Sequence, residues 1–171
     1  MSPPITLLHA RTRRRPAITL AETLVSVVLV GGVLVLTLDA TGASLASRHQ
    51  TARLAQARAL ANDLAAEVFA QAYSEPVDPP AFGPESGEGP ANRTAFDDLD
   101  DYHNWTASPP QAKDGTVRTE LPGWGRTVVV EYVGSADPMQ TLGSDAGLKR
   151  VTVTVTFNGS VLAKLTFVRA S

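Results

Sequence analysis

The apolar and polar positions divide the chain into three regimes. From Ile18 to Leu38 nearly every residue is apolar or small, and Glu22 is the one ionisable side chain. At 1.5 Å of rise per residue this run makes roughly 30 Å of helix, the hydrocarbon thickness of a bilayer. A transmembrane helix is therefore expected over 18–38. Beyond Gly42 the pattern stays helical but becomes amphipathic. Leu54, Ala57, Ala61, Leu64 and Val68 recur at spacings of three and four, with Arg53, Arg58, Asn62, Asp63 and Glu67 largely elsewhere. No proline interrupts the chain between Pro16 and Pro76. The pattern predicts one helix from Ile18 to about Tyr73, about 80 Å long. Its second part, 39–73, forms an amphipathic stem whose apolar stripe docks on a sheet.

The third regime begins where Pro76, Pro79, Pro80, Pro84 and Pro90, with Gly83, Gly87 and Gly89, end the helix and predict an irregular loop over 75–93. Residues 126–133 are β-branched and regular. Val151, Val153, Val155 and Phe157 alternate with Thr152, Thr154 and Thr156, which predicts a strand with one buried face. Asn158-Gly159 is a type I′ hairpin signal, and the return strand is expected over 161–168. A Gly/Asp-rich loop, 134–148, joins the first two strands. The expected class is α+β, a long N-terminal helix packed on a C-terminal antiparallel sheet within a globular domain spanning 74–171.

Charge adds an orientation. Arg11, Arg13, Arg14 and Arg15 precede the apolar run, and residues 1–17 hold no acid, so the positive-inside rule places the N-terminus in the cytoplasm. The net charge of −2 comes from 15 basic and 17 acidic residues. Without the four leader arginines the basic count is 11, and the remainder stands near −6. That sign argues against general nucleic-acid binding, which needs a basic stripe. There is no cysteine, so packing and not disulfides must hold the domain.

Glu22 calls for a reason. An ionised carboxylate within a membrane helix costs on the order of 2.5 to 3.5 kcal/mol, less near the interface. It either snorkels to the head groups or meets a positive partner inside the membrane. The head Arg13-Arg14-Arg15-Pro16-Ala17-Ile18-Thr19-Leu20-Ala21-Glu22-Thr23-Leu24 resembles the cleavage and methylation segment of type IV prepilins and type II secretion pseudopilins. The resemblance implies a leader over 1–17, cut between Ala17 and Ile18 by the prepilin peptidase, which then methylates the Ile18 amine. It also implies that Glu22 pairs with such an amine during assembly. The class usually has glycine before the cut, phenylalanine after it and often proline where Asp39 lies, so the departures fit a minor subunit. Gly147-Leu148-Lys149-Arg150-Val151 is also similar to a late strand of minor pilins.

Implied partners are the peptidase and methyltransferase, other pilin or pseudopilin subunits, an inner-membrane assembly platform and the lipid bilayer. Implied localisation is the bacterial inner membrane, single-pass, with the globular domain in the periplasm and then in a filament. Two other readings stay open on the residues. One is an uncleaved single-pass anchor for a periplasmic binding protein. The other is a Sec-exported soluble domain, with Ser44-Leu45-Ala46 offering small residues to a signal peptidase.

Little else points to chemistry. Asp97, Asp98, Asp100, Asp101 and His103 fall within seven residues, which raises a calcium site. The EF-hand spacing is absent, and the favoured expectation is a solvated acidic turn with Phe96, Leu99, Tyr102 and Trp105 packed beneath. No zinc-ligand pattern, phosphate loop or nucleophile elbow occurs. His103 is the sole histidine of the globular part and has no advertised nucleophile partner. The expectation is a structural protein without cofactor, and not an enzyme.

Overall fold

A computed structural model describes residues 19–75 and 82–171. It divides into two units, Met1–Ser47 and Arg48–Ser171. The elements are a helix α1 (Leu20–Phe69), a 3-10 turn (Asp100–Tyr102) and four strands: β1 (Thr106–Ala107), β2 (Trp124–Tyr132), β3 (Leu148–Phe157) and β4 (Ser160–Ala170). This is an α+β layout with one long N-terminal helix and one antiparallel sheet in the order β1-β2-β3-β4.

The helix ends at Phe69, short of the expected Tyr73. Gln71 N–H bonds back three residues to Val68 O, tightening the last turn, and Ala72 N–H leaves the helix to donate to Asp97 O at 3.1 Å. The acidic segment thus takes over the backbone that the helix pattern would have continued.

In the sheet, Val128 stands opposite Val153 and Val130 opposite Val151, so these four valines fall on one face, with Val129 on the other. The β3–β4 turn places Asn158 at φ 48° and Gly159 at φ 79°, both left-handed, as a type I′ hairpin requires. β4 runs to Ala170, beyond the expected end, because it pairs with β3 as far back as Leu148. Two-residue β1 was not expected; it pairs with Thr127 and Arg126 of β2.

The core of the second unit joins Ala57, Leu60, Ala61, Leu64 and Val68 of α1 to Val128, Val130, Val151, Val153 and Val155 of the sheet. Phe96, Leu99, Tyr102 and Trp105 complete it, as the sequence suggested. Leu60, outside the expected stripe, is buried, whereas Leu54 within it is only half-buried.

Candidate functional site

Two features carry chemistry, one in each unit. The first is the head of α1. Thr19 N–H and its hydroxyl both donate to Glu22 Oε2, at 2.9 and 3.1 Å, while Glu22 N–H donates to Thr19 Oγ1 at 3.3 Å. This is a reciprocal capping box, with Thr19 as N-cap and Glu22 satisfying otherwise orphaned donors. The Thr-x-x-Glu spacing was present in the sequence, so this role was readable there and was missed. Behind it the helix is apolar on every side. The large side chains from Leu20 to Leu38 are exposed, from 55 % at Val25 to 83 % at Leu20. The helix is long and apolar enough to cross a bilayer. The expected leader, 1–17, and Ile18 after it lie outside the described residues, as does the stretch 76–81 of the proline-rich loop.

The second feature is a set of buried charges in the globular unit, none of which hydrophobic patterning could reveal. Arg93 is fully buried and forks onto Glu67, Nε to Oε1 at 2.8 Å and Nη2 to Oε2 at 3.1 Å. Its guanidinium lies 4.1 Å from the centroid of the Trp105 ring. Tyr102 donates its hydroxyl to the same Glu67 oxygen at 3.0 Å. Arg126, also buried, reaches Asp63 at 3.4 Å. Burial, followed by the charges of Arg93 and Arg118, lowers Arg126 to about 10. Lys149 lies on the core face of β3, two residues before Val151. Its ammonium pairs with Asp100, donates to Tyr73 O and lies 4.6 Å from the Tyr73 ring centroid.

These pairings correct the expected solvated acidic turn. Asp98, Asp100 and Asp101 are buried, and among the four aspartates only Asp97 is exposed. Asp98 Oδ1 accepts from Asp100 N–H at 2.7 Å and Asp101 N–H at 3.3 Å, which winds the 3-10 turn. Asp100 goes to Lys149. Asp101 Oδ2 accepts from Asp97 N–H and Asp98 N–H at 2.9 and 3.0 Å. The aspartates therefore do not converge as the ligand set that their spacing suggested, because the turn sends Asp98, Asp100 and Asp101 to different partners and leaves Asp97 exposed. Burial first, then the charge of Asp100, pushes Asp98 up to about 7.

Asp101 instead meets two residues that the sequence did not single out. Glu85, Glu88 and Asp101 each bring a carboxylate oxygen within 4.8 Å of the others. Burial pushes Asp101 up to about 6 against its backbone N–H bonds. Burial and the contact with Glu88 push Glu85 up to about 8. The Glu-x-x-Glu spacing in a glycine-rich loop is too common to have marked them.

His103 accepts a hydrogen bond from Val130 N–H at Nδ1, 3.3 Å, and packs edge-on to Phe82 at 5.0 Å. One ring nitrogen is thus committed to holding the turn on β2. Comparison with protein-family models, curated proteins and solved structures finds no match.

Proposed function

We propose that this chain is a minor pilin or pseudopilin, a structural subunit of a type IV pilus or type II secretion pseudopilus. In this reading it is inserted with its N-terminus in the cytoplasm, cut between Ala17 and Ile18, and methylated on Ile18. The apolar head of α1 then passes from lipid into a filament core, and the fold is pilin-like, a helical stem carrying a periplasmic sheet domain. The observation that carries the reading is the helix head, apolar and exposed on every side, with Glu22 alone charged within it. Such a surface needs lipid or neighbouring helices to cover it. A carboxylate at its start suits a free α-amine four residues earlier, or that of an adjacent subunit.

One observation favours the uncleaved single-pass anchor as a second reading. The capping box gives Glu22 work within its own chain, with no partner subunit required. The two roles separate by substitution. Glutamine serves in a capping box but carries no charge. Charge pairing predicts that Glu22→Gln and Glu22→Ala are both processed normally and both fail to enter sheared filaments. Incorporation of Glu22→Gln at the wild-type level, with loss only for Glu22→Ala, would assign Glu22 to capping and remove the pairing.

A further inference from the structure

We propose that Glu85, Glu88 and Asp101 form a calcium site that ties the glycine-rich loop to the acidic 3-10 segment. The site does not depend on the filament reading. Asp101 is 1 % exposed, and backbone N–H groups occupy its Oδ2. Its other oxygen, Oδ1, is buried with no protein partner, in the carboxylate that closes on Glu85 and Glu88. Glu85 Oε2 is a second buried oxygen without a partner. Glu88 Oε2 accepts from Glu85 N–H at 2.9 Å, which folds the Glu88 side chain back onto the loop.

Buried acceptors are normally satisfied, and an orphaned pair among three carboxylates marks a missing positive ligand. Among the described residues, no ion pair includes Glu85, Glu88 or Asp101. The neighbouring cation, Lys149, is committed to Asp100. The donor set is all oxygen, which selects a hard cation over zinc or copper. The three carboxylates each bring an oxygen within 4.8 Å of the others, a spread that one cation can bridge. Three carboxylates on an irregular loop also suit calcium's tolerance of uneven geometry, with water filling the remaining positions.

The test is calorimetric titration of the chelator-treated full chain in detergent micelles with calcium, and separately with magnesium. The site predicts one calcium per chain, bound at least tenfold more tightly than magnesium, and a calcium-dependent rise in Tm. The Glu85→Gln/Glu88→Gln double variant, whose side chains leave the core untouched, should keep the metal-free Tm and circular dichroism. Its calcium affinity should fall at least tenfold, and the Tm rise should vanish. No binding at millimolar calcium by a natively folded chain, undiminished binding by the double variant, or equal affinity for magnesium would each overturn the assignment.

Discussion

Arg93 shows how a single side chain can organise the globular unit. Its fork onto Glu67 links the end of α1 to the loop before the acidic segment, and its stacking on Trp105 links both to the start of the sheet. With the guanidinium fully buried and Glu67 largely so, removing one partner strands the other charge. Arg93→Ala should therefore cost about 3 kcal/mol or more. Arg93→Lys should rescue little, since an ammonium can neither fork onto a carboxylate nor stack flat on an indole. The check is the denaturant midpoint of the full chain in micelles, followed by tryptophan fluorescence. A loss below about 1 kcal/mol for Arg93→Ala would show the pair to be dispensable. This residue was invisible in the sequence because Glu67 lies 26 positions away and an isolated arginine in a polar loop reads as solvated. Lys149 was read only as the start of a strand for the same reason: Asp100 is 49 positions distant.

At the scale of elements, local pattern was informative. The β3 alternation, the Asn158-Gly159 hairpin and the apolar stripe through Leu64 and Val68 all arise from periodicity within a few residues, and each is present. The short β1 and the early end of α1 depend on partners across the chain, Arg126–Thr127 and Asp97, which periodicity does not encode. Between β2 and β3, Glu131 stands directly opposite Arg150, and the pair closes to 2.7 Å. The hydrogen bond from Arg150, then that from Thr141, holds Glu131 below its ordinary value of 4.5. A carboxylate depressed in the folded state adds stability above its unfolded pKa and loses it as pH falls through the folded value. Acidification below 4.5 should therefore weaken the domain at this pair, by at most about 1 kcal/mol given its partial exposure. Glu131→Gln should lower stability at neutral pH and reduce the acid-induced loss; denaturant midpoints at neutral and acidic pH give the comparison. An unchanged pH profile would mean that the cross-strand pair contributes nothing.

For the whole molecule, the two units present different surfaces. The globular unit pairs its buried cations Arg93, Arg126, Lys149 and Arg150 with carboxylates and buries Val128, Val130, Val151, Val153 and Val155 on one sheet face. The head of α1 leaves its leucines and valines uncovered, and it is long and apolar enough to cross a bilayer. Composition and hydropathy made this division legible in the sequence, because a membrane-length apolar run is a local signal. The use made of the head was not equally legible, since a capped helix start and a subunit-pairing carboxylate place the same glutamate at the same position. Processing separates them at the level of covalent structure. The most direct measurement is the intact mass and N-terminal sequence of the chain extracted from membranes of cells that hold a prepilin peptidase. The filament-subunit account predicts a chain beginning at N-methylated Ile18, with residues 1–17 gone. A chain beginning at Met1 or Ser2, or one released near Ser47, would contradict it.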